Sequence, residues 1–277
     1  MSKELKNSRT LINIIGIPLI LLCLFFGNKG ISLVPLFSIF IYIVMMLGMY
    51  EWLNLSNIKC NLIKIINFIF ISAIFFMFHL SVSINYLIFL IIFHVLLIAI
   101  IEIIKSSDSP LKNISSSVLG LIWVGIFIGT LIPIRNIAVD GFKITLMMFL
   151  SVWICDTFAF IAGSRFGNKK LIPKISPNKT WVGAIAGFIG SFIIPVIFYL
   201  YYPLSGLDRF YEYLIFGFIF GLFGQLGDLA ESALKREAGI KDTSNILHGH
   251  GGILDRFDSL GFVAPILFAL LEFWNFI

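Results

Sequence analysis

Residues 214–232 read LIFGFIFGLFGQLGDLAES. From Leu214 to Leu226 the run holds one amide, Gln225, and no charge; Asp228 and Glu231 follow directly. A membrane-spanning α-helix takes about 20 mostly apolar residues, and this run with its upstream neighbours supplies them. Carboxylates at membrane depth are costly and are tolerated mainly where they pair, bind an ion or line a cavity. The run therefore points to a spanning helix with polar work at one end. A dense polar block follows, SALKREAGIKDTSNILHGHGGILDRFDSL from Ser232 to Leu260, and then a second apolar run, GFVAPILFALLEFWNFI, from Gly261 to Ile277.

The rest of the chain extends the same pattern. Of 277 residues 59% are hydrophobic and 13% charged, with 30 Phe; mean hydropathy is +1.00. Soluble domains carry roughly 25% charged residues, so this is the composition of a polytopic membrane protein. About nine apolar segments fall near residues 11–27, 32–50, 62–80, 84–104, 115–134, 144–164, 181–202, 212–230 and 253–275. The expected fold class is all-α and polytopic, with about nine transmembrane helices joined by short connections. Its N-terminal helices fill residues 1–140, and a C-terminal catalytic region fills 141–277. Cys23, Cys60 and Cys155 have no metal-ligand spacing, and packing thiols are expected. Lys3, Lys6 and Arg9 precede the first apolar run without a small-residue cleavage site, which predicts a retained helix.

Orientation follows from the basic residues. With the N-terminus in the cytoplasm and nine alternating spans, all of the 20 Lys and Arg face the cytoplasm except Lys29, Arg135, Lys143 and Arg209. The net charge of +5 is thereby explained without a nucleic-acid partner. The same assignment puts the loop 165–180 and the polar block on the cytoplasmic face. There a soluble substrate can meet a lipid.

Within the block, Asp228, Glu231, Ser232 and Lys235 recur at i, i+3, i+4 and i+7, one face of a helix. Asp255 and Asp258 share a face of the next. Two helices presenting carboxylates can hold one or two divalent ions, and Mg²⁺ favours such oxygen ligands together with substrate phosphates. Lys235, Arg236 and Lys241 can neutralise phosphates. The glycines of His248-Gly249-His250-Gly251-Gly252 lead into a helix whose N–H groups can meet an anion. Upstream, FGNKKLIPKISPNKTWVGAIAG (166–187) is a polybasic loop; on charge alone its simplest role is an anchor at lipid headgroups. Gly183, Gly187 and Gly190 read as helix-packing positions, and His79 and His94 as packing histidines. The residues alone lead to a metal-assisted site for a phosphorylated substrate at the cytoplasmic interface.

The pattern S-x-L-K-R-x₄-K-D-x-S-x₂-L-x₂-H-G-G-I-x-D-R-F-D, Ser232 to Asp258, resembles the signature of the phosphatidate cytidylyltransferases, or CDP-diacylglycerol synthases. Asp156-Thr157-Phe158-Ala159-Phe160 and Ser176-Pro177-Asn178-Lys179-Thr180 resemble the family's other motif region, and Glu51-Trp52 does so faintly. The chain departs from the family at His248, where Pro or Gly is usual, and at Val182, where Glu is usual. A Gly-Gly pair of the family reads Ala186-Gly187 here.

The resemblance implies transfer of the cytidylyl group of CTP to phosphatidic acid, giving CDP-diacylglycerol and pyrophosphate, with Mg²⁺ as cofactor and a second cation left open. It implies Asp228 and Asp255 as principal metal ligands, with Asp258 and Asp156 as further carboxylates. Lys235, Arg236, Lys241 and Lys179 would bind phosphate, with Arg256 among the catalytic cations. Ser176, Ser232, Gly251 and Gly252 would contact substrate. Asp242 and His250 would orient the loop or touch nucleotide. The expected setting is the inner cell membrane, among lipids; a homodimer is compatible with the sequence. Two alternatives stand beside this reading. One is a cytidylyltransferase for another lipid phosphate; the other is a transporter with a charged cytoplasmic vestibule, against which the absence of internal repeats argues.

Overall fold

The fold comes from a computed structural model that describes residues 16–26, 35–246 and 251–276. Lys3, Lys6, Arg9, Lys29, His248 and His250 lie outside the described residues, as does the start of the first expected span. The helices are α1 (Gly16–Phe25), α2 (Leu36–Leu55), α3 (Asn61–His79), α4 (Asn85–Lys105), α5 (Pro110–Gly120), α6 (Leu131–Asn136), α7 (Gly141–Phe166), α8 (Trp181–Gly190), α9 (Ile193–Tyr201), α10 (Phe210–Glu237) and α11 (Leu254–Phe273). A π-helical stretch, Leu121–Phe127, lies between α5 and α6, within a 27-residue apolar segment. Helices α8 and α9 form a second composite segment of 21 residues.

The chain is an all-α polytopic membrane protein. Among the described residues seven helical segments are long and apolar enough to cross a membrane. The other two expected spans correspond to α1, described for a shorter stretch, and to α11. The latter is 20 residues long but carries Asp255, Arg256, Asp258 and Glu272.

Two compact units form: Met1–Pro133 with Asp242–Arg256, and Ile134–Lys241 with Phe257–Ile277. In the first, α2 packs against α3 and the π-helical stretch, α3 against α4, and α4 against α5. Its core is aliphatic and aromatic, with Phe37, Ile41, Met45, Met49, Ile71, Ile74 and Leu121 all buried. The Trp52 indole lies over Gly120 and donates to the Ser116 carbonyl at 2.8 Å, immediately before the ladder widens into its π form. A side chain inserted into the helical ladder is an established cause of such local distortion. His94 is buried edge-on to Phe70, and His79 stacks on Phe75, as packing histidines do. Cys23, Cys60 and Cys155 are free thiols.

In the second unit α7 and α8 approach closely. The Cα atoms of Gly183 and Gly187 lie against the α7 carbonyls of Ala159 and Cys155, where any Cβ would force the helices apart. Lipid tails are as apolar as Leu, so helices in a membrane associate through such small-residue packing. The polybasic loop is an antiparallel hairpin. Strand β1 (Lys170–Ile172) pairs with β2 (Ser176–Thr180), Lys170 opposite Thr180 and Ile172 opposite Ser176. Pro177 is tolerated because a two-stranded ribbon has open edges. Thr180 then N-caps α8, its Oγ1 accepting from Gly183 N at 3.2 Å. Helix α10 runs on to Glu237, past the expected end of its span, so Asp228 through Arg236 are all helical. Gly227 lets α10 press against the Asp258 carbonyl of α11.

Candidate active site

Each unit holds its own group of expected site residues. In the second unit the helical spacing read from the sequence becomes contact. Ser232 Oγ donates to Asp228 Oδ1 at 3.3 Å, and Lys235 Nζ pairs with Glu231 Oε1 at 3.2 Å. The Glu231–Lys235 pair is buried. Burying either charge alone would be costly, and the pairing offsets this. The hairpin delivers Lys179, whose Nζ stands 2.6 Å from Asp228 Oδ2, with each side chain about a third exposed at 29% and 30%. Asp258 Oδ1 accepts from Ser259 N at 2.6 Å. The charges of Asp228, Asp156 and Lys235 all act on Asp258, so α7, α10 and the start of α11 share one electrostatic neighbourhood. Asp156 is exposed on α7.

The remaining cations of this unit are placed differently. Arg236 Nε donates to the Ile175 carbonyl at 3.2 Å and its Nη1 to the Ile240 carbonyl at 3.0 Å. It thereby fastens the hairpin turn to the end of α10. Ser176 lies half-buried at the start of β2, and Lys241 is exposed.

In the first unit the loop entering α11 is built around two carboxylates. Asp255 Oδ2 accepts from Thr243 N at 2.9 Å, Thr243 Oγ1 at 2.9 Å and Gly252 N at 2.7 Å. Glu51, near the end of α2, is fully buried. Its Oε1 accepts from Ser244 Oγ at 2.6 Å and Ile253 N at 2.9 Å. Its Oε2 accepts from Leu254 N at 2.9 Å and, at 3.0 Å, shares the single Thr243 hydroxyl proton with Asp255 Oδ2. The helix N-terminus expected to meet an anion does so, and the anions it meets are these two side chains. Gly251 has φ +75°, a left-handed conformation that favours glycine, and abuts Asp242 and Asp255. Gly252 lies directly on the Glu51 carboxylate and the Thr243 hydroxyl. Asp242 and Arg256 are exposed.

Glu51, Thr243 and Ser244 were not among the expected site residues. The available signals were the faint family likeness of Glu51-Trp52, the place of Ser244 within the signature, and an acidic residue at the end of an otherwise apolar run, MMLGMYEWLNL. Among the described residues no three His, Cys, Asp or Glu side chains lie close enough to hold one ion together. All the carboxylates concerned offer hard oxygen donors, the type Mg²⁺ prefers. Asp228 already faces a cation, the Lys179 ammonium.

Comparison with known proteins gives a consistent result. Residues 7–274 match the model of the "Cytidylyltransferase family". A phosphatidate cytidylyltransferase of Bacillus subtilis (strain 168) is 38% identical over 185 residues, 66% of this chain and 68% of that protein. Proteins of the same name from Staphylococcus haemolyticus (strain JCSC1435) and Staphylococcus aureus (strain COL) are each 48% identical, over 132 and 134 residues. Those matches cover 48% of this chain, which spans about half, 50%, of each staphylococcal relative's length. The signature in the polar block and the match along almost the whole chain agree: the chain belongs to the cytidylyltransferase family.

Proposed function

We propose that this nucleotidyltransferase moves the cytidylyl group of CTP onto phosphatidate, in the inner cell membrane and at its cytoplasmic face. The observation that carries the reading is the charged neighbourhood of the second unit, Lys179, Asp228, Asp258, Asp156 and Lys235, among helices otherwise built for lipid. The names of the relatives support the choice of substrates.

In this reaction an oxygen of the lipid phosphate bonds to the α-phosphorus of CTP. The bond from that phosphorus to the bridging oxygen breaks, and pyrophosphate leaves with the electron pair. The nucleophile is already an anion, so no strong base is needed; the obstacle is repulsion between two anions. Lys179, paired with Asp228, would serve as a phosphate ligand, with Lys241 and Arg256 as further cations and Ser176 and Ser232 as hydroxyl donors. Asp228, Asp258 and Asp156 would offer oxygen donors to Mg²⁺, and the signature implies a ligand role for Asp255. Mg²⁺ bound there would screen the charge and stabilise the leaving group.

The test is purified protein with labelled CTP and a panel of lipid phosphates. Label should enter lipid with phosphatidate, stop with EDTA and return with Mg²⁺. Metal-independent incorporation would remove the ligand assignments, and a clear preference for a polyprenyl phosphate would replace the lipid substrate.

A further inference from the structure

The four bonds to Glu51 join parts of the chain far apart in sequence. Its donors lie 192, 193, 202 and 203 residues downstream. They belong to two short stretches, Thr243-Ser244 and Ile253-Leu254, and Asp255 follows the second directly. Thr243 Oγ1 stands between the carboxylates, 3.0 Å from Glu51 Oε2 and 2.9 Å from Asp255 Oδ2. Gly252 leaves no room for a side chain against Glu51. Every partner of Glu51 is a backbone N–H or a short hydroxyl side chain, and the residue is fully buried. It therefore cannot meet substrate itself.

We infer that Glu51 is a positioning residue for Asp255. It fixes the backbone on both sides of the polar loop and, through Thr243, the carboxylate of Asp255. The inference rests on the proposed transfer reaction, in which Asp255 serves the metal. A glutamine cannot substitute. Its amide offers one acceptor atom in place of two, and its NH₂ group would face a backbone N–H that cannot accept.

The experiment uses the full-length chain in lipid nanodiscs, with Glu51→Gln, Thr243→Val and Thr243→Ser beside the wild type. The readouts are kcat, KM for CTP, the Mg²⁺ concentration at half-maximal rate, and hydrogen exchange of the Ile253 and Leu254 amides without substrate. Partners that orient a metal ligand are typically worth about 10–100-fold in metal affinity or activity. Glu51→Gln should lower kcat and raise the Mg²⁺ midpoint by at least about tenfold, on that scale, with KM for CTP nearly unchanged and the two amides exchanging faster. Thr243→Val should move the same quantities in the same direction, and Thr243→Ser should recover most of the loss. A folded Glu51→Gln protein with wild-type kcat and Mg²⁺ midpoint overturns the inference. If that variant does not fold, unchanged kinetics in Thr243→Val do so. A wild-type protein inert toward CTP and phosphatidate overturns the reaction itself, and with it the catalytic sense of Glu51. The wild-type arm shows that outcome separately.

Discussion

The carboxylates Glu51 and Asp255 in the first unit and Asp228 in the second carry the same chemical group in two different settings. The first pair is held by backbone N–H groups and hydroxyls that have nowhere else to go. Asp228 is held by a lysine ammonium on a long side chain, with both partners about a third exposed. A carboxylate oxygen that accepts from fixed backbone donors is tied to the framework. One held by a flexible, partly exposed cation can exchange that partner for another charge. The first group is bound into its loop, while the second keeps a partner it can exchange.

Substitutions can break or sharpen this contrast. The largest effect is expected at Asp255. Asp255→Asn should abolish CDP-diacylglycerol formation and also cost about 1–3 kcal/mol of stability, because three donors lose an ionised acceptor. Product assays on detergent-purified protein and a thermal melt read the two effects. Asp228→Asn should remove activity just as fully while the protein inserts and melts almost normally, since a partly exposed ion pair contributes about 0–1 kcal/mol. If Asp228→Asn instead lost stability like Asp255→Asn, the two settings would not differ. Gly252→Ala pushes a methyl group into the Glu51 carboxylate, and overpacking of this kind costs about 1–3 kcal/mol. Its melt should fall clearly, with turnover reduced but measurable. The smallest effect is expected at Val182, exposed in the first turn of α8. Val182→Glu places an anion at a helix N-terminus, favourable by about 0.3–1 kcal/mol, and should leave turnover equal or slightly higher. A collapse of activity would mean that the chain has rebuilt that subsite around valine.

Much of this was legible in the sequence. The helical segments follow the apolar runs because a helix in lipid must satisfy its own backbone over a fixed thickness. The pairing along α10 follows from helical spacing alone. The glycine contacts between α7 and α8 were likewise foreseeable from small residues in an apolar span. The hairpin at 170–180 was not, because lysines and prolines carry no strand signal and its partner strand is only a turn away. The π-helical stretch was hidden too: the indole packed just before it, Trp52, comes from another helix. Glu51 showed only as a faint family likeness, and its partners were the most concealed. Periodicity reports neighbours three or four residues apart, and its partners are about two hundred residues away. The Gly-rich turn was visible as an anion site, but the sequence could not say that the anions are the chain's own.

The central claim, nucleotidyl transfer from CTP to a lipid phosphate, is tested most directly by following two labels at once. Purified protein would be given CTP labelled at the α-phosphate or at the γ-phosphate, with phosphatidate and Mg²⁺. The account predicts α-label in the lipid extract and γ-label in pyrophosphate, in equal amounts. γ-Label in the lipid would mean phosphoryl transfer, and α-label remaining in the aqueous phase would mean no transfer to lipid; either result contradicts it.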